Sequence, residues 1–557
     1  MSIKNLFFLL YNKLCIKIES ILLLSLIALL AIIFQQCANP QGITGGDKDT
    51  ISPKPLTKLP AVGTINYQGK EILLEFDEWV ATNNLKSELL ITPEPESNYE
   101  VKENKNVIRL VFEEGFEDST TYTFNFRKGI VDINEKNVAD STLVVFSTGD
   151  YLDSLSVGGQ VKAIQTQSGV GEATVGLYLP TDTLDITKER PLYLTKTDTS
   201  GKFLFQNLKE GKYLLYAFSD NSNAGKFNER GDLIGFKTDL IELQQNVDSL
   251  QIQIYKDDNK PPNVSRARGS STGKTFLIEF NEGLKEFQLD ASYQQLTTSF
   301  IEENGKTINL YNLAARYDTI PVSFAAIDSA GNTLIDTVKV KFPAKSKKET
   351  DFKVNFLPKD NSYLRDSLIL EIIANKAVTS FHPEMIYYKT AADTINRYAL
   401  VDSTTTIDSL NGQANIKFRK ALDNFEELEA IEIQVDSGAL RSIENDSSKS
   451  TILTYKFKSE EKYGLLSLVI ETDQPSFIIQ LIDSKGEIIE ERINQKAITF
   501  KKLEADQYII KAIIDTNGNK QWDSGNYLLR KQPEPIVIFN KRIQLRQNWE
   551  IKEVFKF

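Results

Sequence analysis

Five positions of matching character recur in this chain at one fixed spacing. Phe205, Leu208, Tyr213, Asp220 and Phe227 reappear as Phe500, Leu503, Tyr508, Asp515 and Trp522, each 295 residues later. A constant offset across such positions means that two stretches, 153–256 and 463–557, share one fold. Within the earlier stretch, TKTDTSGKFLFQNLKEGKYLLYAFSD reads as two strands about turns. Thr197, Asp198 and Gly201 make the first turn, Phe203, Phe205 and Leu208 enter the core, and Gly211 turns the chain into the Tyr213 strand. Repeats of this length predict an array of domains, and short strands between turn signals make those domains β-sandwiches.

The other stretches obey the same pattern. In 56–150, EILLEFDEWV and VIRLVF are apolar strand runs, and TTYTFNF alternates strictly, with Tyr122, Phe124 and Phe126 on one side. Lys260, Pro261 and Pro262 mark a boundary, and 260–343 reads as a further sandwich with a DSAGN turn at Asp328–Asn332. The charged stretch 344–350 is a linker. Residues 351–460 read as a β domain with strands near SLILEIIA, TTTIDSL, ANIKFRK and LTYKFK, and ALDNFEELEAIEIQV has room for a helical turn. The expected fold class is therefore all-β, a tandem array of Ig-like and prealbumin-like sandwiches.

The N-terminus is different. An apolar run from Ile21 to Phe34 follows Lys4, Lys13 and Lys17 and ends at Gln35, Gln36 and Cys37. The run is short for a membrane span and suits the hydrophobic part of a secretory signal. The reading is a signal peptide over 1–36, cleavage before Cys37 and acylation (palmitate) of its thiol. A standard lipobox has a small residue where Gln36 stands, and the rival is an uncleaved anchor. Both readings export the chain and tie it to a membrane. Residues 37–55, punctuated by Gly42, Gly45, Gly46, Pro40, Pro53 and Pro55, form the tether.

Here specific likenesses appear. EILLEFDEWV, TTYTFNFRKGIVDINEKNVAD and VVFSTGD resemble the bacterial Ig-like domain of surface-layer proteins, in which a TTYT strand leads to a GI.D.NGN turn and ends in FSTG. CANPQGITGGDKDTISPKPL is similar to the tether of Bacteroidota surface lipoproteins that carry this domain. The pattern of 153–256 is similar to carboxypeptidase-regulatory sandwiches. These likenesses imply a surface or periplasmic scaffold or binding role and supply no catalytic residues.

Composition narrows the classes. The formal net charge is −11 over 557 residues, with no basic run, which argues against nucleic acid and anionic membrane surfaces as partners. Cys15 and Cys37 are the only cysteines, so no disulfide staples the mature cores, and a chain of this length divides into several of them. His382 is the single histidine, and with Pro383 after it reads as a turn residue, not as a general base. No Cys/His cluster suits zinc and no Gly-rich loop cradles phosphate. Acid pairs such as Asp77-Glu78 carry no information among 76 acids. Trp79, Trp522 and Trp549 are read as buried sandwich tryptophans in preference to a sugar platform.

One loop has ligand spacing. Asp515, Asn517, Asn519 and Asp523 stand at positions 1, 3, 5 and 9 of DTNGNKQWD, which is the oxygen spacing of a calcium loop without its distal Glu, since position 12 is Asn526. The earlier copy reads Asp220, Ser222, Ala224 and Asn228 and is degraded. The competing expectation is a hydrogen-bonded Asx turn. The functional expectation is a non-catalytic, lipid-anchored outer-membrane scaffold whose partner is a β-barrel protein or complex. The rivals are a glycan-binding or adhesion protein and a hydrolase with its site in 351–460.

Overall fold

The computed structural model describes residues 48–258, 260–270, 274–293, 297–301, 305–312, 315, 317–343, 351–364, 367–390, 393–400, 406–409, 415–421 and 429–557. Cys37 and the apolar run before it lie outside the described residues, as does most of ALDNFEELEA. Among the described residues the regular structure is nearly all strand, with one α-helical turn at Leu85–Glu88 and 3-10 turns at Pro383–Met385 and Glu460–Lys462. It is a tandem array of β-sandwiches.

In the first module, strands Pro55–Leu59, Glu71–Phe76, Val107–Phe112 and Tyr99–Asn104 lie side by side in that order. They face a sheet of Leu90–Thr92, Thr121–Asn125 and Leu143–Ser147. Alternation decides the packing: Ile72, Leu74 and Phe76 point inward from one sheet, Tyr122, Phe124 and Phe126 from the other, all buried. A ribbon of Val80–Thr82 paired with Ile130–Asp132 closes one end. Residues 49–54, read as tether, are already stitched to this module. Asp140 N–H donates to Pro53 O, and Lys54 N–H donates to Asp77 Oδ1 at 2.8 Å. Pro53 is buried there, and the backbone groups of this run find partners.

The second and last modules have one topology. In the second, Leu155–Ala163 pairs antiparallel with Lys202–Leu208 and parallel with Val247–Ile254. In the last, Gly464–Glu471 pairs antiparallel with Ala497–Leu503 and parallel with Glu550–Lys556. Tyr213 Oη donates to Lys209 O at 2.8 Å, and Tyr508 Oη donates to Glu504 O at 3.0 Å, so the 295-residue offset extends to a side-chain bond.

The third module packs Val264–Gly269, Thr275–Phe280, Thr307–Asn312 and Thr297–Ile301 against Leu284–Leu289, Ile320–Asp328 and Thr333–Val340. In the fourth, one apolar cluster runs from Phe352 to Tyr455. Tyr311 of the third module enters that cluster, and its hydroxyl accepts from Ala377 N–H at 3.2 Å.

The array does not string out from end to end. The last module returns to the second and shares a core with it: Tyr178, Tyr216, Phe218, Phe227, Ile234 and Tyr255 pack with Ile478, Ile513, Tyr527 and Ile536. Gln167 Nε2 donates to Ile536 O at 3.1 Å and Gln532 Nε2 to Phe236 O at 2.9 Å across the same joint. The central strands there, Thr174–Tyr178 and Phe477–Ile482, are buried on both faces, one by their own sandwich and one by the other module.

Candidate functional site: the paired loops beside the joint

The repeat places two equivalent loops at this joint. One follows Gly211–Phe218 and leads to Ile234–Phe236; the other follows Gln507–Ile514 and leads to Ile536–Ile538. Both begin with a buried aspartate, Asp220 and Asp515. Asp515 spends its oxygens on its own loop. Oδ1 accepts from Gly518 N–H and Asn519 N–H at 2.8 and 3.1 Å, Oδ2 from Lys520 N–H at 3.1 Å and Ser476 Oγ at 2.8 Å. Burial opposes ionisation of this carboxyl, but those hydrogen bonds outweigh it and hold the group below the usual carboxylate range.

The other three candidate ligands converge. Asn519 Nδ2 donates to Asp523 Oδ1 and Oδ2 at 3.1 and 3.0 Å, and Asn517 Nδ2 also donates to Asp523. A half-turn of either amide about its Cβ–Cγ bond exchanges nitrogen for oxygen, so Asn517, Asn519 and Asp523 form an oxygen set that suits a hard cation. Asp515 shapes the turn beneath them. Sequence spacing missed Glu534, which is 4 % exposed. Its Oε1 accepts from Thr516 N–H at 2.6 Å and Oε2 from Asp523 N–H at 3.1 Å. Glu534 lies outside any nine- or twelve-residue ligand pattern, and its only sequence signal is an acid between two prolines.

The earlier copy solves the same problem with an internal cation. Asp220 Oδ2 accepts from Lys196 Nζ at 3.2 Å, and the same ammonium donates to Asn223 Oδ1 at 2.8 Å. The Lys196 side chain is 5 % exposed. Asp232 holds that loop as Glu534 holds the other, accepting from Asn221 N–H at 2.9 Å and Asn228 N–H at 3.0 Å. By strand pairing Lys196 opposes Thr174, which opposes Phe218, whereas Ile493 opposes Ile478, which opposes Ile513. The last module thus carries an isoleucine where the second carries the lysine, and its carboxylates lack that ammonium.

Other candidates fall elsewhere. Asp258, Glu282 and Asp328 gather where the second module meets the third, and burial together with the Asp328 charge pushes Asp258 up. Asp328 Oδ1 accepts from Ala330 and Asn332 N–H groups, so it serves its own turn. His382 lies between Ser380 and Glu384, with Nε2 at 2.8 Å from Ser380 Oγ and Nδ1 at 3.2 Å from Glu384 Oε1. The order mimics a triad, but the contacts follow from neighbours two apart along one surface strand and turn. The tryptophans overturn expectation: Trp79 is 60 % and Trp549 49 % exposed, on different modules. Trp522 is half-buried at the joint and donates from Nε1 to Glu534 O at 3.0 Å.

Residues 49–148 match the family model of the bacterial Ig-like domain, so the first module is such a domain. No curated protein matches the chain by sequence. Among solved structures, the surface-layer protein rSbsC(31-844) is 13 % identical with a TM-score of 0.16, over 89 % of this chain and 68 % of that one. BcpA, the major pilin subunit of Bacillus cereus, is 9 % identical with a TM-score of 0.14, over 72 % and 99 %. The protein SGBP-B of a Bacteroides ovatus mixed-linkage glucan utilization locus is 10 % identical with a TM-score of 0.15, over 62 % and 86 %. Scores of this size carry no argument about arrangement or function.

Proposed function

We infer that this chain is a non-catalytic, lipid-anchored scaffold at the cell surface, an accessory subunit of an outer-membrane β-barrel protein or complex. The observation that carries the reading is the joint between the second and last modules. It turns separate sandwiches into a braced frame, which suits holding a partner in place. The cysteine after the apolar run supports export and attachment, and among the described residues no helix is long and apolar enough to cross a membrane. A groove of about 870 Å³ between the first and second modules mixes Arg127, Lys196 and Lys202 with Glu172, Asp198 and Asp248, as a protein-binding rim does.

Calcium enters as a structural ion. Asn517, Asn519 and Asp523, with Asp515 beneath, would hold it, and it would supply the charge that Lys196 supplies in the sister loop. Copurification in mild detergent tests the scaffold reading. A stoichiometric barrel partner is expected; a lone protein that retains polysaccharide would support a glycan-binding role instead.

A further inference from the structure

We propose that the first module docks on the membrane surface through an exposed apolar patch around Trp79. In the ribbon of Val80–Thr82 and Ile130–Asp132, Val80 pairs with Asp132. Val80 and Asp132 point inward and are buried. Their neighbours Trp79 and Ile133 therefore share the outer side, joined by Ile133 N–H to Trp79 O at 3.3 Å. They are 60 % and 41 % exposed, and Val138, bridged to Val131 beside them, is 39 % exposed. Ile51, at 66 %, joins the same patch, because Asn137 Nδ2 donates to Asp49 O at 3.0 Å. Apolar side chains this exposed and this close together want a cover.

The chain outside the described residues says what covers them. The patch contains the point where the tether arrives, since Asp49 and Ile51 belong to both. With the lipid on Cys37, residues 38–47 lie between the anchor and the described chain. At about 3.3–3.6 Å per residue that span reaches at most roughly 35 Å, so the patch stays in the vicinity of the bilayer. A tryptophan among aliphatic side chains suits the lipid interface, where the ring is buried and its N–H stays wet. The ammonium of Lys105, 5.9 Å above the Trp79 ring, suits contact with headgroup phosphates.

Charge selects the kind of surface. Asp49, Asp77, Glu78 and Glu135 lie beside the patch, and burial followed by repulsion from these acids and the buried Asp132 pushes the Glu78 carboxyl up. An acidic collar is repelled by anionic lipid, so the patch fits a zwitterionic interface. This docking rests on the membrane-anchor reading but goes beyond it, because a tethered module need not touch lipid.

The test uses the full-length lipidated protein in phosphatidylcholine vesicles that carry bromine on the acyl chains. Bromine should quench part of the tryptophan emission of the wild type, and Trp79→Phe should lose that part, leaving Trp522 and Trp549 unquenched. Adding phosphatidylglycerol should reduce the quenching. If the wild type and Trp79→Phe are quenched equally, or neither is, while the protein floats with the vesicles, docking is refuted and the anchor reading stands. If the protein does not float at all, the anchor reading has failed. Ile133→Asp, also exposed, should abolish quenching without loss of cooperative melting; unchanged quenching in that variant would likewise overturn the proposal. Self-association through the patch, read as a Trp79-dependent cross-link between copies, would overturn it in favour of a second copy.

Discussion

Removing Tyr527 should loosen the joint between the second and last modules while leaving each folded. Its side chain crosses that joint. Tyr527 is 7 % exposed, its ring meets Phe227 edge-on at 5.1 Å between centroids, and its hydroxyl donates to Glu229 Oε1 at 2.5 Å. Truncating a buried aromatic to alanine costs ~3–5 kcal/mol. Glu229 keeps Lys260 as a partner on its other oxygen, so no carboxylate is orphaned and the low end applies, about 3 kcal/mol. Because the ring sits between modules, the loss falls on their association, where about 3 kcal/mol is roughly a hundredfold in affinity. The assay cuts the full chain at a specific protease site placed in the 344–350 linker. The cut wild type should elute as one particle, held by this joint and by Tyr311 in the fourth module's core. Cut Tyr527→Ala should fall apart at a concentration roughly a hundred times higher than the wild type does. The reasoning fails if the wild-type halves separate as soon as the linker is cut. It fails equally if Tyr527→Ala, still folded by circular dichroism, dissociates as the wild type does.

Three further outcomes follow from particular side chains. Millimolar calcium should raise the Tm of the full chain in calorimetry, since it stands about 1–10-fold above a Kd on the order of 10⁻⁴–10⁻³ M and so gains ~0.4–1.4 kcal/mol; Asp523→Ala should abolish the response, whereas Asp515→Ala should destabilise with or without calcium, because it takes the acceptor from the Gly518 and Lys520 N–H groups. Identical melting of the wild type in calcium and chelator would leave the loop as a hydrogen-bonded turn. Burial, opposed by the Tyr527 N–H and reinforced by Glu229 and Asp258, pushes Asp257 up to about 6 from 3.8; the folded state then binds the extra proton, so stability should rise as pH falls through about 6, and Asp257→Asn should flatten that slope in urea titrations. His382→Ala should leave barrel copurification and export unchanged, and loss of either in a folded variant would reopen the hydrolase reading.

The repeat was legible because sandwich cores alternate. Phe205 and Phe500, or Tyr213 and Tyr508, occupy positions that only one packing satisfies, so the offset survives wide divergence elsewhere. The joint was not read, although a signal existed. FIIQLI and TVGLY are mostly apolar on both faces, the mark of strands covered on both sides, but a periodicity argument assigns only one face to each strand. That joint also means that 463–557 cut out alone would expose Ile478, Ile513 and Ile536, so thermal tests belong on the whole chain. At the loop, spacing singled out Asp515, Asn517, Asn519 and Asp523 as a group, since oxygens around a tight turn are local. It did not show that Asp515 also takes four hydrogen bonds from the backbone and Ser476, and it missed Glu534 and the contrast between Lys196 and Ile493. Those depend on strand register, which no local pattern encodes.

Cell fractionation of Cys37→Ala tests the anchored scaffold most directly. The wild type should sediment with the outer membrane, and the variant, cleaved or not at the signal, should lose its acyl chain and appear in the soluble fraction with its sandwiches folded. A Cys37→Ala protein that remains in the membrane fraction, held by residues 1–36, would contradict a lipid at Cys37 and with it the mode of attachment on which the scaffold reading stands.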